Sequence, residues 1–202
     1  MARISLADRR RDLIAAAIEV IATHGIDGAT TRRITDQAKA NVAMVHYCYD
    51  SKEALFSDVF AHAATTYGDI IKQSNPHSTL AESARQILRG VMTYYLDSPN
   101  FAAATFELIR WARRQHEDRG MAVFDEAVAS TRTALQEAAA EDPVDPDTLD
   151  EMVYVLGTLA DGFAVNWLTY GDRARAEAQI ELTLSVFDTW LAGCRVPQRA
   201  GS

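Results

Sequence analysis

Between Thr30 and Glu53 the chain reads TTRRITDQAKANVAMVHYCYDSKE, and two of its side chains are placed to start helices. The Thr30 hydroxyl can accept a hydrogen bond from an otherwise unpaired backbone N–H, with Ile34 and Ala38 as the small apolar face of the helix that follows. Asn41 can do the same for the next segment, where Ala40, Val45 and Tyr49 share an inward side and Val42, Ala43, Met44 and His46 point outward. That outward face is short and lightly charged. A solvated helix carries Glu and Lys there, whereas a helix that enters the major groove needs small or hydrogen-bonding side chains able to meet base edges. The spacing therefore predicts two short helices joined by a tight turn, the second presented to DNA. Taken alone it fits an ordinary helical hairpin equally well, since such pairs recur in many all-helical proteins.

The flanks decide between these. Leu13, Ala17, Val20 and Ile21 predict a helix from about Asp8 to His24, stopped by Gly25 with Ile26 as the apolar residue that often follows such a stop. Asp50 and Ser51 then cap a new helix that opens Lys52-Glu53-Ala54-Leu55-Phe56. From AAAIEVIATHGIDGATTRRIT through VAMVHYCYDSKEALF the chain resembles the N-terminal domain of the TetR family of bacterial transcriptional repressors, with the apolar positions, both threonines, the aromatic pair and Ser-Lys-Glu all in register. The resemblance implies phosphate contacts from Thr31, His46, Tyr47 and Lys52, with Thr30 capping a helix whose N-terminus faces the DNA backbone. It implies base-edge contacts from Arg32, Val42, Ala43 and Met44. Two positions depart from the family pattern. Lys39 stands where glycine is usual in the turn, and a left-handed conformation there costs a non-glycine residue on the order of 1 kcal/mol, which a phosphate contact by Lys39 would offset. His46 stands where most members carry tyrosine.

At 202 residues, the chain has room for one small reader and one sizeable second core. A net charge of -8 argues against a general polyanion binder. Residues 1–56 hold 8 Lys/Arg and 7 Asp/Glu while residues 57–202 hold 12 and 21, so the acid lies away from the reader. An acidic body limits nonspecific adhesion while a locally basic head keeps the counterion-release gain. Arg9-Arg10-Arg11, with Arg3 upstream, could reach the minor groove as an arm, although a solvated first helical turn is the simpler reading. No apolar run approaches membrane-spanning length and the N-terminus lacks a signal-peptide core, so a cytoplasmic protein with no membrane association is expected. Cys48 and Cys194 show no metal spacing; they read as structural thiols, with a redox switch at Cys48 as the alternative.

From residue 54 onward the patterns are all helical. Asn75-Pro76 ends one helix, Ser78-Thr79 opens another at Leu80, Ser98-Pro99 opens a third and Gly120 separates a fourth. After the acidic loop of Asp142-Pro143 and Asp145-Pro146, a long helix runs from Asp147 to about Tyr170, and Gly171-Asp172 turns into a last helix ending near Gly193. The long helix carries one apolar stripe through Met152, Leu156, Leu159, Phe163 and Trp167 and a second through Val153, Gly157, Ala160, Ala164 and Leu168. The last helix repeats this with Ile180, Leu184, Phe187 and Leu191 against Thr183, Val186 and Trp190. Two apolar faces need two partners, and the economical second partner is another copy of the chain, giving a homodimer through residues 147–192. The C-terminal segment also resembles the dimerising end of TetR-type regulators.

The region between holds Tyr94, Tyr95, Phe101, Phe106, Trp111, Phe124, Phe163, Trp167 and Tyr170, most of which must be core. The family resemblance implies an effector cavity here, lined by Tyr95, Phe106, Trp111, Phe163, Trp167 and Tyr170, with polar groups drawn from Glu107, Arg110, Asp161 and Asn166. No nucleophile elbow, phosphate loop or metalloprotease motif occurs, and the five histidines lack ligand spacing, so neither catalysis nor a metal or cofactor is expected. The expected architecture is all-α: a three-helix DNA-binding domain with a helix-turn-helix over 1–53, then a helical ligand-binding and dimerisation domain over 54–202. The expected partners are double-stranded DNA at a two-fold symmetric operator and a small-molecule effector. A helical enzyme or carrier, and an architectural DNA binder without sequence preference, are the competing readings; salt-sensitive, sequence-selective DNA binding separates them.

Overall fold

The computed structural model describes residues 5–73, 79–115, 119–140 and 144–194. Within them lie α1 (Leu6–Gly28), α2 (Thr31–Gln37), α3 (Val42–Cys48), α4 (Lys52–Lys72), α5 (Leu80–Asp97), α6 (Pro99–Gln115), α7 (Arg119–Ala138), α8 (Pro146–Tyr170) and α9 (Arg173–Gly193), with no strand among the described residues. The all-α expectation is met. Arg3, the Asn75-Pro76 stop, Ser78, the Asp142-Pro143 turn and the side chain of Phe124 lie outside the described residues. Two compact units emerge, Met1–Thr65 with Ser98–Phe124 and Thr66–Asp97 with Asp125–Ser202, whose limits fall inside α4 and α7.

In the first unit α1 packs on α6, α2 and α3. The expected apolar spacing of α1 is the buried one, with Leu13, Ala17, Val20 and Ile21 sealed from solvent, joined by Ile34 of α2 and by Leu55 and Phe56 of α4. Gly25 breaks α1, but as a kink and not an end: its φ of 66° and ψ of 170° are open essentially only to glycine, and helix resumes to Gly28. A Cβ there would also lie 3.5 Å from Glu107 Oε2.

In the second unit α5 packs on α8 and α9, which pack on each other around Ile87, Leu88, Met92, Met152, Leu156, Phe163, Leu184 and Phe187. Local signals set the boundaries. Thr79 and Glu82 exchange side chain to backbone bonds of 3.3 and 3.0 Å, a capping box that starts α5. Pro146 occupies the first turn of α8, and Gly171, at φ 64° and ψ 11°, ends it in the left-handed conformation while donating to the Trp167 carbonyl. Asp172 then caps α9 by accepting from Arg175 N at 3.1 Å. Gly120 does not separate two helices; it lies in the first turn of α7. The apolar stripes of α8 are also assigned differently from expectation. Val153, Ala160 and Ala164 are buried within the chain, while the face left to solvent runs through Tyr154, Val165 and Leu168, at 73, 54 and 37% exposure. On α9, Leu182 and Val186 are similarly bare at 64 and 52%.

Candidate nucleic-acid interface

Each turn that presents α3 is built from identifiable local chemistry. Thr30 caps α2 by accepting from Arg33 N at 3.3 Å, and Asn41 caps α3 by accepting from Met44 N at 2.9 Å. Between them α2 closes with Lys39 N donating to the Asp36 carbonyl at 3.2 Å and Ala40 N to the Thr35 carbonyl at 2.9 Å. That pair of bonds is a Schellman motif, whose left-handed residue is normally glycine. Here it is Lys39, at φ 50°, so the expected strained position is where the sequence places it.

The cap at Asn41 and the burial of Val45 and Cys48 turn the rest of α3 outward. Val42, Ala43, His46 and Tyr47 are exposed, Tyr47 at 68%, and Met44 is half-buried. Tyr49 is inward as expected, whereas Ala40 is only half-covered. On α2, Arg32 is exposed and Thr31 half-buried. Lys52, in the first turn of α4, lays its Nζ 5.3 Å from the Phe56 ring centroid, so its stem is packed while its charge stays at the surface. All nine residues of the expected DNA face therefore lie in one compact unit, on or beside three short-connected helices.

Local spacing missed what Arg10 does. Its Nη2 and Nε donate to the Cys48 carbonyl at 2.9 and 3.3 Å, and its guanidinium lies 5.0 Å from the Tyr49 ring centroid. Tyr49 in turn donates its hydroxyl to Asp58 Oδ2 at 3.0 Å, and burial, then the bond to that carboxylate, hold the phenol pKa well above its ordinary value. Arg10 is thereby held against α3, while Arg11 stays exposed beside Asp8 of its own helix, as in a solvated first turn. Cys48 is buried, which removes it from easy oxidation.

The residues expected at an effector cavity divide between the units. In the first, Trp111 is half-buried against Phe56 and Phe60, at centroid distances of 6.1 and 6.3 Å; Phe106 and Glu107 are half-buried, and exposed Arg110 pairs with Glu107 at 3.5 Å. In the second, Phe163 and Tyr95 are buried, the Tyr95 and Tyr67 hydroxyls share a hydrogen bond of 2.8 Å, and Trp167 Nε1 donates to the Tyr95 carbonyl at 3.1 Å. Asn166 and Tyr170 face solvent, the former donating to its own helix at Gly162, the latter beneath the Arg175 guanidinium at 5.1 Å. Asp161 sits near Tyr95, and burial pushes its carboxyl up to about 6. Among the described residues no group of His, Cys, Asp and Glu could hold a metal ion, and no helix is long and apolar enough to cross a membrane.

Asp161 yields a stability test. Because its folded pKa is raised, the folded state binds the proton more tightly than the unfolded chain, so ionisation above about pH 6 costs stability. Asp161→Asn is expected to stabilise the protein at pH 7.5 by about 1–2 kcal/mol, and the gain should shrink towards zero by about pH 4. Urea titrations across that range measure it; a gain independent of pH would mean that the carboxyl ionises normally.

Known proteins share both the reader and the whole fold. Residues 13–59 match the bacterial regulatory proteins of the tetR family. The chain is 34% identical over 131 residues to HdnoR, a nicotine-responsive transcriptional repressor of Paenarthrobacter nicotinovorans, covering 61% of this chain and 66% of that protein. It is 27% identical over 147 residues to the transcriptional repressor NicS of Pseudomonas putida, covering 69 and 68%. The chain thus spans about two thirds of the length of these curated relatives. Among solved structures, a TetR-like transcriptional regulator from Rhodococcus sp. RHA1 superposes with a TM-score of 0.71 at 19% identity, over 95% of this chain and 100% of that one. A TetR-family regulator from Streptomyces coelicolor gives 0.68 at 18% identity, over 89 and 79%. With a capped, outward-facing α3 inside the matched segment and the fold shared along the chain, the protein belongs to the TetR family and is a DNA-binding transcriptional regulator.

Proposed function

We propose that the protein is a cytoplasmic repressor that binds a two-fold symmetric operator as a homodimer and leaves it when a small-molecule effector binds. In this reading residues 1–53 form the DNA-binding part and residues 54–202 the effector-binding and dimerisation part, and the chain acts by binding and not by catalysis. The observation that carries it is the exposed face of α3, where Val42 and Tyr47 stand at 43 and 68% exposure while Val45 beneath them is sealed. Apolar side chains left bare on so short a helix have a use if base edges and sugar-phosphate cover them. Dimerisation is supported by the bare apolar strips of α8 and α9, and would set two readers ~34 Å, or a multiple of it, apart.

The test is binding to the DNA immediately upstream of the protein's own gene. Lys52→Ala should weaken binding to every sequence alike and reduce the salt slope by about one unit, as the loss of a phosphate contact does. Arg32→Ala and Met44→Ala should instead change which sequences bind. Footprints unchanged by all three substitutions would show that another surface reads the DNA.

For the effector, α4 is the proposed relay, since it contributes Leu55 and Phe56 to the core of one unit and Tyr67 and Ile71 to that of the other. Each tenfold preference for the DNA-incompetent state corresponds to ~1.4 kcal/mol of coupling. Aromatic nitrogen bases are the first class to screen because a relative responds to nicotine.

A further inference from the structure

A seven-residue helix with two buried side chains has little to fix its orientation, and α3 is such a helix. Isolated helices of this length are unstable in water, so α3 depends on outside contacts for its pose. Its C-terminal end has no glycine to fold the chain back onto the last carbonyls: Tyr49 is extended, at φ -141° and ψ 137°, and its backbone N–H donates to the Val45 carbonyl. The Cys48 carbonyl receives two bonds from the Arg10 guanidinium instead, and a cation at this end of a helix also complements its dipole. The same guanidinium covers the Tyr49 ring, and Tyr49 is anchored to Asp58. One end of α3 is thus tied to α1 through Arg10 and to α4 through Tyr49 and Asp58.

We propose that Arg10 is a positioning residue for DNA reading, a clamp that sets the roll of α3 about its own axis and does not itself touch DNA. The proposal rests on α3 being the reader. A roll error moves Val42, Ala43 and Met44 off their base edges and shifts His46 and Tyr47 with them, while the contacts from Thr31 on α2 and Lys52 on α4 stay in place; because the charged phosphate contact is Lys52, specific binding must suffer more than nonspecific binding. A guanidinium that served instead as a minor-groove arm would weaken both together and lower the salt slope.

The experiment selects duplexes from a randomised DNA library with the full-length wild type and uses the most enriched duplex as probe, beside an unrelated duplex. Arg10→Met, Arg10→Lys and Tyr49→Phe are compared with the wild type by affinity for both duplexes, salt slope and thermal midpoint. Arg10→Met is expected to lose about tenfold in affinity for the selected duplex, the size of a charged hydrogen bond. Its affinity for the unrelated duplex and its salt slope should hold. Arg10→Lys should recover part of the loss, and Tyr49→Phe should show a smaller loss of the same kind. Equal losses on both duplexes with a slope lower by about one would overturn the clamp in favour of a phosphate contact. Unchanged affinity in all three variants overturns it as well. Should Arg10→Met fail to fold, Arg10→Lys and Tyr49→Phe carry the test alone, because both keep the bulk of the side chain. A wild type that enriches no sequence removes the DNA-reading assignment itself, and the clamp with it.

Discussion

Phe56→Ala is expected to destabilise the protein by about 3–5 kcal/mol, the cost of deleting a well-packed aromatic side chain. Phe56 is 1% exposed, meets Trp111 edge-on at 6.1 Å and carries the Lys52 ammonium over its face at 5.3 Å. Its loss therefore removes buried area, a ring pair and a cation contact at once. Against a total stability of roughly 5–15 kcal/mol, the change leaves a marginal fold. The thermal midpoint should fall by on the order of 10 °C or more, followed by circular dichroism. Operator binding should fail even below the midpoint, since Lys52 one turn away loses its support. A shift of only a few degrees would mean that α4 is held chiefly by contacts elsewhere.

Paired substitutions of Leu182→Glu and Val186→Glu on α9 are expected to convert the proposed dimer into monomers. These side chains are 64 and 52% exposed and contribute nothing to the chain's own core, so charge is tolerated in the monomer and costs only the association. Operator affinity should drop by roughly a hundredfold or more, because binding a second half-site through the same dimer is worth 10²–10⁴ in avidity. Sedimentation at micromolar concentration reads the first effect and titration of a palindromic duplex the second. If the charged variant sediments as the wild type does, the pairing surface lies elsewhere.

Helix starts and stops were legible because their chemistry is short-ranged. Thr30, Asn41, Ser51, Thr79, Ser98-Pro99 and Gly171 each act on backbone groups within a few residues, and the reader segment is dense in such signals. The strained turn at Lys39 could be placed for the same reason, as the motif is set by bonds from Lys39 and Ala40 back to Asp36 and Thr35. Longer-range choices were not legible. Periodicity shows that α8 has two apolar sides, but which side α5 and α9 cover depends on packing partners far away in sequence, so the bare face runs through Tyr154 and Val165 instead of Val153, Ala160 and Ala164. Arg10 looked like one of three equivalent arginines because its acceptor lies 38 residues on. Gly25 was legible as a break but not as a kink: helix resumes to Gly28, with Ile26 buried.

The three tryptophans are divided between the two compact units, and this makes the protein its own optical instrument. Trp111 belongs to the unit that reads DNA and lies against Phe56 and Phe60, while Trp167 and Trp190 belong to the other, the latter 5.8 Å from Phe187. With Trp167 and Trp190 replaced by phenylalanine, selectively excited tryptophan emission comes from the unit of Trp111 alone; with Trp111 replaced, it comes from the other. Overlaying the two emission curves during heating would show whether the molecule melts as one cooperative body or in two steps. Only a single step makes one free energy of unfolding a meaningful quantity for this chain.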